Sequence, residues 1–147
     1  MDNKLKSKTR LAAIQLVSQQ LVNNQDIESI KDDFDKHYRN TIIDNSFGKI
    51  QYNVNFLSKL VSYFKTINPK DISQEINNLI KFDRKFEKWD TINKAIILIA
   101  ISELRNSEKK KIITILNDYI EVSKSFVSLK ETKLINSILD KLINEKK

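Results

Sequence analysis

A chain of 147 residues with 26 lysines and arginines against 19 acids carries a formal charge of +7, and its length suits one domain, residues 1–147, with a core of its own. One glycine, one proline and no cysteine exclude disulfide scaffolds and Cys/His zinc sites and fit turn-rich β architectures poorly. No apolar run reaches the roughly 18 residues of a membrane span and the N-terminus lacks a signal-peptide core, so a cytoplasmic location is expected.

Residues 8–22 (KTRLAAIQLVSQQLV) read as a first helix, with Ile14, Val17 and Leu21 at helical spacing. A shorter helix starts at an Asp26 cap and presents Ile27, Ile30, Phe34 and Tyr38 on one face. Ile43, Phe47, Ile50, Val54, Leu57, Val61 and Phe64 then recur at alternating four- and three-residue steps. That stripe predicts a long helix lying along a partner, inside a bundle or in a homodimeric coiled coil. Pro69 is expected to end it. Asp71 and Gln74 resemble a capping box opening a short helix through Ile80.

Residues 81–89 form a connector anchored by Phe86 and Trp89, and Asp90 caps a helix whose residues 95–101 (AIILIAI) are apolar on every side. Such a helix belongs in the middle of a bundle. A loop from Asn106 to Lys110 leads to a helix from about Lys111 to Val127. Ser128 and Glu131 make a second capping box, opening a last helix with Ile135, Ile138, Leu142 and Ile143 inside. Six or seven helices and no strand give an all-α fold.

Nucleic acid is the ligand class the charge suggests. Lys4, Lys6, Lys8 and Arg10 cluster at a helix entry with Asp2 as the sole opposing charge. Cations there oppose the helix macrodipole, and a phosphate would relieve that cost. A cap at Ser7 would leave Lys4 and Lys6 on a flexible arm, and an ordinary basic terminus is the plainer account of the cluster. Lys124, Phe126 and Lys130 place an aromatic between cations, an arrangement that can stack a base and hold phosphates, although a phenylalanine at this spacing also suits a core. Lys109, Lys110 and Lys111 form a less specific loop triplet. The cations are lopsided, 22 lysines to 4 arginines, beside 22 isoleucines and 15 asparagines. An A/T-rich coding bias produces such a profile, so many lysines are read as solvated surface.

Catalysis has little to work with. His37 is the one histidine and Gly48 the one glycine, which leaves no triad partner and no glycine-rich phosphate loop. Asp32, Asp33 and Asp35 read as a solvent face, and Glu103 as a structural carboxylate at a helix end. No enzyme, cofactor or metal is expected.

Four segments in order resemble the NusB family. Lys94 to Leu104 is similar to that family's (R/K)-A-(I/L)-L-R-L-A-x-x-E-L. Leu116 to Phe126 resembles I-N-E-A-(I/V)-E-L-A-K-x-F, retaining Asn117, Glu121, Lys124 and Phe126. Lys133 to Lys141 resembles K-F-(V/I)-N-G-(V/I)-L-D-K, retaining Asn136, Leu139 and Asp140. Near the N-terminus, Lys6, Lys8, Arg10, Ala13 and Gln15 follow R-x-R-A-R-x-x-A-x-Q. The resemblance implies a compact helical bundle in two packed halves. It also implies transcription antitermination through boxA-type single-stranded RNA of ribosomal RNA operons, bound jointly with a small-subunit ribosomal protein (NusE) in the RNA polymerase antitermination complex. RNA contact would fall on Lys4, Lys6, Lys8 and Arg10, with Lys124 and Phe126 contributing. Four phosphate contacts to single-stranded RNA give a log-affinity slope of about −3 against log salt.

The chain departs from the family pattern at several places. Lys6 and Lys8 stand at arginine positions and lack the bidentate fork. Ser7 replaces a frequent cation, Ser18 a common aromatic, Val127 and Ser137 glycines, and Glu131 a serine. A helical protein-interaction module without sequence-specific RNA binding is therefore the alternative. The NusB-like N-terminal module of ribosomal RNA cytosine methyltransferases is a third comparison. With Lys147 as the last residue, methyl transfer is not expected.

Overall fold

The computed structural model describes residues 1–38, 52–80 and 84–145. Within them run α1 (Asn3–Asn23), α2 (Ile27–Tyr38), α3 (Val54–Phe64), α4 (Pro69–Leu79), α5 (Thr91–Arg105), α6 (Ile112–Ser123) and α7 (Leu129–Glu145). Two 3-10 turns, Phe86–Lys88 and Lys109–Lys111, precede α5 and α6, and no strand occurs among the described residues. The all-α expectation is met.

The bundle is organised around α5. Every residue from Ala95 to Leu104 is buried, so this helix has no polar side to give to water. It packs against α1, α3, α6 and α7. The helices α1, α2 and α3 pack on one another in one half, while α4 and α6 lie against α7 in the other. Full burial of each leucine or isoleucine on α5 contributes roughly 1.5–3 kcal/mol. Phe86 (1% exposed) closes the core beside Trp89, with ring centroids 5.3 Å apart. Both connector anchors thus behave as the sequence suggests.

Caps decide where the helices begin, and here the sequence reading needs correction in three places. First, α1 starts at Asn3, because Asp2 Oδ1 accepts the Leu5 N–H at 2.7 Å. Lys4 and Lys6 are therefore helical, and Ser7 is not a cap. Second, the heptad stripe is not one helix up to Phe64. Asn53 is extended (φ −93°, ψ 116°) and its side chain accepts the Phe56 N–H, so α3 begins at Val54. Leu57, Val61 and Phe64 of the stripe are buried; Ile43, Phe47 and Ile50 lie outside the described residues. Third, Pro69 opens α4 instead of ending α3. It needs no N–H in a first turn, and Asn68 supplies the cap by accepting the Lys70 N–H at 2.9 Å, the role expected of Asp71.

Two predicted caps hold, while Asp90 stands at the N-cap of α5 without a side-chain hydrogen bond to the helix. Asp26 accepts the Ser29 N–H at 3.3 Å. Glu131 accepts the Ser128 N–H and Ser128 Oγ accepts the Glu131 N–H, each at 3.2 Å, a reciprocal box at the start of α7. The acidic trio splits: Asp32 and Asp33 are exposed, whereas Asp35 is buried between Lys31 Nζ (2.6 Å) and the Tyr52 hydroxyl (2.7 Å).

Candidate nucleic-acid interface

The N-terminal cluster folds into two functional layers. Arg10 shares a helical stripe with Ala13, Ile14 and Val17 and is buried with them, at 6% exposure. Its Nε and Nη2 donate to the two oxygens of Glu103 at 2.9 and 2.7 Å, and Nη1 donates to Asp118 at 2.7 Å. Ser7 Oγ donates to the other Asp118 oxygen. The Tyr119 hydroxyl donates to Glu103 at 2.7 Å, and the guanidinium lies 5.3 Å from the Phe56 ring centroid and 5.5 Å from that of Tyr119. One arginine thus ties α1, α5 and α6 together through its planar fork, which a lysine cannot reproduce.

The electrostatics follow from this packing. Burial alone would lower the Arg10 pKa, but the hydrogen bond and charge of Glu103, with Tyr119 and Asp118, outweigh it and raise the value. Burial first, then the Glu103 charge, pushes Tyr119 well above its ordinary 10.0, so the phenol remains a donor. The sequence suggests a phosphate contact for Arg10, and the structure places it in this internal network. Its three donor nitrogens are engaged internally, and an anion would have to displace two carboxylates from a buried pair. Glu103 is the structural carboxylate anticipated.

Above this layer lies a groove of about 780 Å³, within the roughly 300–1,000 Å³ of small-ligand clefts. Lys6 enters it from α1, while Phe56, Lys59 and Tyr63 form the α3 wall. Asn106, Ser107, Glu108 and Lys110 close the end of α5, and Lys111, Thr114, Asn117 and Glu121 line the α6 side. Lys110 pairs with Glu108 at 3.4 Å, both well exposed, a contact worth little in water. Lys6, Lys59 and Lys111 have no carboxylate partner among the described residues. Arg10 with its two acids carries −1, while Glu108 and Glu121 are each paired with a lysine, so Lys6, Lys59 and Lys111 make the groove basic.

The remaining predicted residues are not gathered there. Lys4 and Lys8 are exposed on α1. Lys124 is exposed and donates to Glu121 at 3.0 Å, and Phe126 is half-buried against the core. Thirteen residues of largely helical chain separate Lys124 from Lys111, about 20 Å at 1.5 Å per residue. Phe126 and exposed Lys130 line no part of the groove, whereas Lys124 reaches its rim through Glu121 on the α6 side. The α3 wall, Lys59 and Tyr63, escaped the sequence reading, although their i, i+4 spacing marks a shared stripe.

Among the described residues no group of three or more His, Asp or Glu side chains is placed to hold a metal, and no helix is long and apolar enough to cross a membrane. The model of the NusB family matches residues 7–144 of this chain. The chain belongs to the NusB family. Similar proteins named transcription antitermination protein NusB include one from Blochmanniella floridana, 36% identical over 110 residues, or 72% of this chain and 78% of that protein. Another, from Rickettsia massiliae, is 25% identical over 147 residues, covering 95% and 92% of the two chains. NusB membership makes this an antitermination-family protein and not an enzyme.

Proposed function

We propose that this chain is an antitermination factor that binds boxA-type single-stranded RNA of ribosomal RNA operons together with the ribosomal protein NusE. In this reading it joins the RNA polymerase antitermination complex in the cytoplasm and promotes read-through. The observation that carries the RNA part is the groove in which Lys6, Lys59 and Lys111, from three different helical segments, converge with no ion-pair partner among the described residues. Three lysines at Lys109–Lys111, just before α6, also oppose that helix's macrodipole, a cost that a bound phosphate offsets. Lys4 and Lys8 extend the basic track along α1, while Arg10 holds α1 and α6 in register beneath it. Lys124 reaches the rim of the groove through Glu121, with Phe126 beyond it.

Labelled boxA-like RNA and a scrambled control, titrated with and without NusE at several salt concentrations, test this directly. Selective binding that NusE strengthens is the expected outcome. Replacing Lys6 and Lys111 together with alanine should weaken it and reduce the log–log salt slope by about 1.4, or 0.7 per phosphate contact on a single strand. A flat salt dependence in the parent would overturn the RNA reading. The alternative, a protein-interaction module without RNA preference, draws on the acids in the same groove: Glu108 faces Lys110, and Glu121 holds Lys124. It predicts NusE binding with equal, weak affinity for both RNAs.

A further inference from the structure

Two aromatic rings, Phe56 and Tyr63, line the groove, and Tyr119 lies buried beneath it. Phe56 and Tyr119 flank the Arg10 guanidinium, and Tyr119 is fully buried with its hydroxyl on Glu103. Tyr63 differs from both. It is half-buried, packed against the core and lining the groove. Its hydroxyl and ring have no hydrogen-bond, ring or cation partner among the described residues. Lys59 sits one helical turn before it on the same stripe and lines the same groove. Asn106 Nδ2 donates to Thr66 Oγ1 at 3.3 Å and to the Ser102 carbonyl at 2.7 Å, which fastens the end of α3 to the end of α5 and holds this wall in place.

An aromatic face beside unpaired cations accepts an unstacked nucleobase, since every base offers a π-face and every linkage a phosphate. We propose that Tyr63 is the stacking platform for one unpaired base, with Lys59 on a flanking phosphate. The inference rests on the groove being the RNA site, and it narrows the ligand to a strand whose base is free to leave its neighbours. A continuous duplex cannot supply that base.

The test uses the full chain and boxA-like RNAs in which 2-aminopurine replaces one base at a time. One position should lose fluorescence on binding, as a stacked base does. Tyr63→Ala should abolish that quenching and weaken binding roughly 5- to 150-fold, the range for losing one base–aromatic stack, with the salt slope unchanged. Tyr63→Leu keeps apolar bulk against the core and should show the same loss, separating stacking from folding. Tyr63→Phe should retain both quenching and affinity, and Lys59→Ala should lower the salt slope by about 0.7. Parent-like binding by Tyr63→Leu, or a Tyr63→Phe variant as weak as Tyr63→Leu, would overturn the platform while leaving the RNA reading intact. Salt-independent binding by the parent, with no effect of the Lys6 and Lys111 changes, would overturn both.

Discussion

The two ends of the α1–α5 pair treat polar groups in opposite ways. At one end Arg10, Glu103, Asp118, Tyr119 and Ser7 satisfy one another inside the bundle. Farther along, about 12 Å from Arg10 on α1 and 15 Å from Glu103 on α5 by helical rise, Ser18 Oγ and Asn93 Oδ1 are buried without a hydrogen-bond partner among the described residues. Asn93 Nδ2 reaches out to Glu131 of the α7 capping box at 2.8 Å instead. The contrast shows two uses of charge. Inside, a paired arginine fixes which helices meet and in what register, and this frees the lysines above it to stay unpaired. At the far end, polar groups only finish a helix.

Arg10→Ala would expose this contrast most strongly. It leaves Glu103 buried without its cation, and breaking such a pair costs about 3–5 kcal/mol, read by urea denaturation. Among the molecules that remain folded, the salt slope of RNA binding should stay at the parent value if, as proposed, Arg10 serves the internal network and not a phosphate. A lowered slope would put Arg10 back among the RNA contacts.

Ser128→Ala probes the other end and should cost only about 1 kcal/mol, the value of an N-cap. A loss equal to that of Arg10→Ala would erase the distinction between the two regions. The smallest effect is one of pH. The Asn93 hydrogen bond first, then those from Ser128, hold Glu131 below its ordinary 4.5. A folded value below the unfolded one means that this stabilisation is present above pH 4.5 and is lost as pH falls through the folded value. Because the side chain meets solvent, the contribution is small. The stability gap between parent and Ser128→Ala should narrow in acid, and a gap that widens would contradict the assignment.

The sequence made α5 and the α7 cap legible because both are local. Eight apolar or small residues in a row, 95–102, declare a central helix, and a serine three residues before a glutamate declares a box. Arg10 was legible only as a cation in a basic run. Its partners Glu103 and Asp118 lie 93 and 108 residues away, a distance that spacing does not bridge. The hint was its place on the stripe of Ala13, Ile14 and Val17, where a charge is buried or absent. Pro69 was legible as a helix boundary but not as to which side, since a proline suits a first turn as well as it breaks an interior one. The Lys59–Tyr63 wall escapes a sequence reading because the α3 stripe draws attention to its apolar positions, while the groove side of the helix is the face those positions leave over.

Thr9 has no exposed surface. Its hydroxyl donates to the Leu5 carbonyl at 2.7 Å and accepts the Asn53 N–H at 2.9 Å. The amide proton of the residue that caps α3 is thus sealed by a side chain from the lysine-bearing helix, and it reaches solvent only when the two helices part. Parting of α1 from α3 breaks this bond, so the exchange of the Asn53 proton reports on that opening. A ligand that spans the two helices opposes that event as a whole, so its binding is written in the exchange rate of a proton it never touches.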